Sequence, residues 1–281
     1  MTFNPVAALN VIECKELISK ESPNAIDLGS QTPSINNNFI KNLISTNKHL
    51  TKIQKVNLNE LSNNMKFSTK DFITKIGFNN YNSIDLNGAY ESFKFDLNKD
   101  ICTAYDFNSK YDLVINNGTG EHVFNQHSLF LNIHNLTKTN GIMLHVLPFI
   151  DWINHGFYNF NPIIFGDLAA SNKYEIIKIS LANRNGAELK LENKNHTILF
   201  EQIKPNNKLS NFNKMLEIAK DKVGKNILLV VILKKLSNHK FTIPLQGKYL
   251  SDISNIETDY SLQKGGSEGA LNQIADNIKR N

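Results

Sequence analysis

The sequence predicts an α/β fold, a doubly wound, mostly parallel sheet with helices on both faces. Three observations carry this. Short apolar runs alternate with segments of helical periodicity across residues 25–236. Runs such as Ile227 to Leu233 are apolar throughout and read as buried strands. The runs end in Asp, Asn or Gly, the residues that turn a strand into a loop.

Taken in order, Val6 to Lys20 has helical spacing at Leu9, Ile12, Leu17 and Ile18, and Ser22-Pro23-Asn24 ends it. Ala25-Ile26-Asp27-Leu28-Gly29 is a short strand followed by a turn. The Asn-rich stretch from Ser30 to Ser83 holds helices around Phe39–Ser45 and Thr69–Ile76, the second capped by Gly77. Ser83-Ile84-Asp85-Leu86 is a strand, and so is Tyr111–Asn116, which runs into Asn117-Gly118-Thr119-Gly120. Gln126–Leu136 is a helix, Gly141–Val146 a strand, Ile163–Asn172 a helix and Tyr174–Leu181 a strand. Leu209–Val223 is a helix and Asn226–Lys235 the last strand. The α/β domain is placed at residues 1–250, with its core at 25–236. Residues 251–281 form a polar tail, whose short amphipathic helix at Ala270–Ile278 offers a surface for a second copy of the chain.

Composition narrows the function classes. The chain has 281 residues, 41% hydrophobic, with a formal net charge of +5. Only Arg184 and Arg280 are arginine, and the lysines are dispersed, which argues against a nucleic-acid partner. Two cysteines without CxxC spacing argue against a disulfide framework or a thiolate zinc site. The longest apolar run, Ile227 to Leu233, is too short to span a bilayer, and the N-terminus lacks a signal-peptide pattern, so a cytoplasmic location is expected.

Ligands of open α/β sheets bind beyond the carboxyl ends of the strands. Gly29, at the first such end, lets backbone approach a ligand without a Cβ in the way. Asp85, at the second, can accept hydrogen bonds from ribose hydroxyls. Asp96 followed by Leu97 suits an adenine, the carboxylate taking the exocyclic amine and the apolar neighbour packing on the ring. Asn116 and Gly118, with Asn117 and Thr119, can line the amino-acid end of a cofactor.

This ordered set, Ile26-Asp27-Leu28-Gly29, Asp85, Asp96-Leu97 and Tyr111–Asn116, resembles the class I S-adenosylmethionine-dependent methyltransferases, over roughly residues 25–180. The stretches Asn117–Gln126 and Asn140–His145 with Pro148 resemble bacterial members that modify small molecules or polysaccharides. The resemblance implies a Rossmann-like, seven-stranded sheet whose last strand is antiparallel. It implies S-adenosylmethionine as cofactor, with Asp27, Gly29 and Gln31 near its methionine moiety, Asp85 on the ribose, and Asp96 and Leu97 on the adenine. Where the family usually has Gly-x-Gly, this chain has Gly29-Ser30-Gln31-Thr32-Pro33. That difference motivates a second reading, a non-catalytic binding or scaffold protein on the same fold. A nicotinamide oxidoreductase is disfavoured because no GxGxxG follows the first strand.

A hydroxyl acceptor needs a general base, and histidine serves near neutral pH. The candidates are His122, within Glu121-His122, and then His155 in the aromatic loop Asp151–Tyr158. His145 reads as a core histidine, and Trp152, Phe157, Tyr158 and Phe160 read either as core or as a substrate cover. A zinc site from His122, His134, His145 and His155 lacks HxxxH or HExxH spacing, so no metal is expected. The expected activity is methyl transfer to a small, polar acceptor, with a sugar or sugar-nucleotide hydroxyl as the leading candidate.

Overall fold

The computed structural model describes residues 2–64, 66–190 and 210–246. Helices are α1 (Pro5–Leu17), α2 (Asn37–Thr46), α3 (Lys52–Ser62), α4 (Thr69–Lys75), α5 (Ile101–Tyr105), α6 (Gln126–Leu136), α7 (Ile163–Asn172) and α8 (Ser210–Val223). Strands are β1 (Asn24–Asp27), β2 (Asn80–Ser83), β3 (Tyr111–Asn117), β4 (Thr137–Ile150), β5 (Tyr174–Ala182), β6 (Glu188–Lys190) and β7 (Ile227–Lys235).

The seven strands form one sheet in the order β2-β1-β3-β4-β7-β5-β6. The expected parallel character holds for half of it. The pairs β2–β1, β1–β3 and β3–β4 are parallel, and β4–β7, β7–β5 and β5–β6 are antiparallel. The sheet is therefore mixed. Only five residues join β5 to β6, and so short a link permits an antiparallel hairpin alone. β7 enters between β4 and β5 against the direction of both.

Alternation along the central strands builds two cores. Ala25, Leu113, Ile115, Ile142, Leu144, Val146, Leu228, Val230 and Ile232 pack on the face covered by α1, α2, α3 and α4. Ile26, Val114, Met143, Leu147, Leu229, Val231 and Leu233 point the other way, toward α5, α6, α7 and α8. Burial on both faces explains why these strands read as unbroken apolar runs.

Local chemistry fixes the helix ends. Asn4, Asn36, Thr51, Ser68, Asp100 and Asn125 each cap a helix by accepting a backbone N–H. At the other end of α6, the buried Lys235 ammonium of β7 donates to the carbonyls of His134 (2.8 Å) and Thr137 (3.2 Å). A cation there satisfies carbonyls with no helical partner and complements the helix dipole. Lys178 of β5 pairs with Glu13 of α1 at 2.7 Å and Glu188 of β6 at 2.6 Å, tying helix, central sheet and edge strand together.

Several elements differ from the sequence expectation, among them β4, which runs Thr137–Ile150, through Pro148, where Gly141–Val146 was expected. The second strand is Asn80–Ser83, so Ile84 and Asp85 lie just beyond its end. The helix α3 lies in a stretch whose Asn and Lys content conceals it. The amphipathic segment Ala270–Ile278 and the tail 251–281 lie outside the described residues. No helix among the described residues is long and apolar enough to cross a membrane.

Candidate active site

A cavity of about 270 Å³ opens beyond the carboxyl ends of β1, β2 and β3. Its walls include Gly29, Gln31, Asp85, Asp96, Leu97, Gly118 and His122 from the sequence-derived set. Leu28, Ile84, Phe95 and Val123 supply apolar lining beside them. A concave site with a few convergent polar groups on an apolar wall is the usual form of a small-ligand site.

Each wall has a structural cause. The chain leaves β2 through Ile84, whose N–H donates to the Asp27 carbonyl (2.9 Å) and so continues alongside β1. This places Asp85 opposite Ser30. Asp85 Oδ2 accepts from the Ser30 hydroxyl (2.6 Å) and N–H (3.2 Å), while Oδ1 accepts from the Asn87 N–H (3.2 Å). Asp96 Oδ1 accepts from the N–H and side-chain amide of Asn98, each at 2.9 Å, and these bonds hold its carboxyl below the usual range. Leu97 is buried against the core, and Phe95 stacks on Tyr105 with ring centroids 4.4 Å apart.

The first loop is tightly filled. Gln31 Nε2 donates to the Asn117 carbonyl at 2.9 Å, and Thr69 Oγ1 donates to the Gln31 carbonyl at 2.8 Å. A Cβ at Gly29 would collide with Thr119 Oγ1 and stand 2.9 Å from Gln31 Nε2. A side chain there would force the Thr119 and Gln31 side chains aside where the β1 and β3 loops approach each other.

Three residues of the sequence-derived set, Asp27, Asn116 and His155, do not line the cavity, and the first two are buried beneath it. Asp27 has no solvent exposure; its oxygens accept from Gly29 N–H (3.3 Å) and Tyr81 O–H (3.4 Å), and burial pushes its carboxyl well above the usual value. Asn116 is buried, its Oδ1 accepting from Gly120 N–H at 2.9 Å. Both shape the loops from beneath rather than face the cavity.

The third absent residue, His155, lies with His122 around a carboxylate that sequence reasoning had named only as a neighbour. Glu121 is fully buried. Its Oε1 lies 3.3 Å from His155 Nε2 and 3.9 Å from His122 Nε2. Among the described residues, neither Glu121 oxygen has a hydrogen-bond partner, and neither does His155 Nε2. Burial pushes Glu121 up to about 7, and burial lowers both histidines. The loop carrying His155 is pinned by its own backbone, since Phe157 N–H (2.8 Å) and Tyr158 N–H (3.3 Å) both donate to the Glu121 carbonyl. Any Cβ at position 156 would stand 2.9 Å from Glu121 Cγ, so Gly156 is what lets the loop close on the carboxylate.

His145 and His134 serve the framework instead. His145 is buried between Phe130 and Phe165, beside Asn116, and burial lowers it to about 3. His134 bonds Tyr174 O–H at 2.6 Å and the His239 carbonyl at 2.7 Å. The loop aromatics divide: Phe160 is buried in the core, whereas Phe157 and Phe124 are exposed and meet edge-to-face at 5.7 Å.

No family model matches the chain, and no curated protein does. Among solved structures it is similar to the O-methyltransferase from a trans-AT PKS multienzyme of Brevibacillus brevis in complex with S-adenosyl-L-homocysteine. That likeness has 15% identity and a TM-score of 0.41, covering 97% of this chain and 82% of the other. It is also similar to TehB from Haemophilus influenzae, with 13% identity, a TM-score of 0.39 and coverage of 80% and 61%. A third is the Haemonchus contortus phosphoethanolamine N-methyltransferase 2, with 10% identity, a TM-score of 0.38 and coverage of 84% and 54%.

Proposed function

We propose that this chain is an S-adenosylmethionine-dependent methyltransferase acting on a hydroxyl of a small, polar acceptor, with sugars and sugar nucleotides as the first class to test. One observation carries the reading. One cavity at the strand ends gathers an acidic residue, an Asp-Leu pair, an apolar wall and His122, the chain neighbour of the buried Glu121.

The residues fit the nucleoside end of the cofactor. Asp85 is the acceptor for ribose hydroxyls, Asp96 for the adenine amine, and Leu97, Phe95 and Val123 are the apolar walls for the ring. When bound, the cofactor supplies an electrophilic methyl group on a sulfonium; the protein supplies alignment and charge placement. His122, on the cavity wall, takes the acceptor proton, and the Glu121 carboxylate beside it stabilises the imidazolium that forms. His155 closes the same cluster from the loop side. S-adenosylhomocysteine also has a place in this reading, as the product that the nucleoside wall retains.

A second reading, a binding or scaffold protein without turnover, draws on the first loop. Gln31 and Thr119 crowd Gly29 where the methyltransferase pattern has a second glycine. Calorimetric titration with S-adenosylmethionine and S-adenosylhomocysteine separates the two. Binding of both, followed by methyl transfer to a screened hydroxyl acceptor, supports the enzyme. Binding without turnover on any acceptor favours the scaffold, and no binding removes the cofactor assignment.

A further inference from the structure

We infer that Glu121, His122 and His155 form a site for a divalent transition-metal ion of the zinc class. One ligand atom from each lies within 4.8 Å of the other two. Metal–ligand bonds of about 2.0–2.2 Å put neighbouring ligand atoms roughly 3–3.5 Å apart. Glu121 Oε1 already stands 3.3 Å from one imidazole nitrogen and 3.9 Å from the other.

An ion pair among these groups alone does not account for the arrangement. Among the described residues, the two Glu121 oxygens and His155 Nε2 find no hydrogen-bond partner, though all three atoms are buried. They converge without bonding one another, which is the geometry of groups that share a third partner. An unpaired buried carboxylate is costly, and a cation between the three side chains removes that cost. The donor set, two imidazole nitrogens and one carboxylate oxygen, is that of catalytic zinc and related ions.

The site is built rather than incidental. Glu121 and His122 share one 3-10 turn, and His155 arrives on a separate loop. That loop is held by two backbone hydrogen bonds to the Glu121 carbonyl and by the close approach that Gly156 permits. The imidazole planes stand 65° apart, converging rather than stacking. Of the three residues, His122 also lines the cavity. The ion occupies the place that the transferred proton takes in the base reading. A bound ion there would lower the pKa of a coordinated acceptor hydroxyl, whose proton would leave to solvent.

The test uses tag-free, full-length protein stripped with EDTA and titrated calorimetrically with zinc chloride. The expected result is one ion per chain with a dissociation constant on the order of micromolar or tighter. His155→Gln and Glu121→Gln each weaken it roughly tenfold or more. His239→Gln, in the separate His134–His239 pair, leaves it unchanged. Cobalt added in place of zinc gives a visible absorption band that His155→Gln abolishes. No heat of binding, or zinc binding that survives His155→Gln, overturns the proposal. So does loss of binding in His239→Gln instead. His155 lies on a partly exposed loop, so its replacement keeps the test free of a folding defect. A failed zinc titration leaves the cofactor titration standing, since that reads Asp85 and the nucleoside wall.

Discussion

His155 Nε2 stands 3.3 Å from Oε1 of Glu121, a carboxylate shut away from solvent and, among the described residues, bonded to no donor. The two residues are 34 positions apart, and the backbone of the second loop is fastened to the backbone of the first. A charged group left in this condition lowers stability and is retained where it serves chemistry.

Glu121→Gln therefore separates stability from activity. The amide keeps the shape and removes the buried charge, so in EDTA at mildly alkaline pH the variant gains about 1–3 kcal/mol against urea. In the proposed reaction, methyl transfer falls by roughly 10²-fold in this variant because the imidazolium loses its counter-charge. A residue of purely structural importance moves both quantities down together, and that outcome removes Glu121 from the site.

Asp85→Asn tests the proposed nucleoside wall. Asp85 already accepts two bonds from Ser30, so the amide keeps the loop's shape while losing the charged acceptor. S-adenosylhomocysteine should bind more weakly by roughly 1–3 kcal/mol in calorimetric titration. Equal affinity means the ribose lies elsewhere.

Gly29→Ala introduces a Cβ that meets Thr119 Oγ1 and Gln31 Nε2. Overpacking of this kind costs about 1–3 kcal/mol. Thr119→Ala removes the nearest obstacle, so the double variant recovers part of the loss in a denaturation cycle. Strict additivity of the two changes shows that the loops do not meet there.

Acid stability reads His145. Its folded-state value lies near 3, lowered by burial among Phe130, Phe165 and Asn116, none of them charged. The unfolded chain binds this proton first. The stability is fully present above the unfolded value of about 6.5 and is lost as pH falls from there toward 3, by up to about 1.4 kcal/mol per pH unit. His145→Gln flattens that part of a urea-midpoint profile between neutral and mildly acid pH. An unchanged profile assigns the acid sensitivity to other groups.

What the sequence disclosed follows from where side-chain period decides structure. Gln126–Leu136, Ile163–Asn172 and the β7 run were legible because their buried residues recur at helical or strand spacing. The β2 strand was displaced because its core contacts are Tyr81 and Ser83 among asparagines, whereas the apolar Leu86 that drew attention is exposed. α3 was missed because Ile53 and Val56 face solvent and only Leu58 and Leu61 mark the buried side. Within the candidate site, Gly29, Asp85 and Asp96-Leu97 were found from strand ends. The burial of Glu121 arises from a distant loop folding over it, and Gly156 was the one local signal that pointed there.

The antiparallel β7 carries a consequence for how the molecule assembles. Its nine residues sit in the middle of the sheet yet come last among the described strands. While the ribosome is still making the preceding helix, β4 and β5 have no strand between them, and each exposes a long apolar edge. Such edges invite pairing with other chains. The sheet closes only when residues 227–235 emerge, so completion of the fold is a late, long-range event. Until then the β1–β4 half carries the cavity without the strand that joins it to the rest of the sheet.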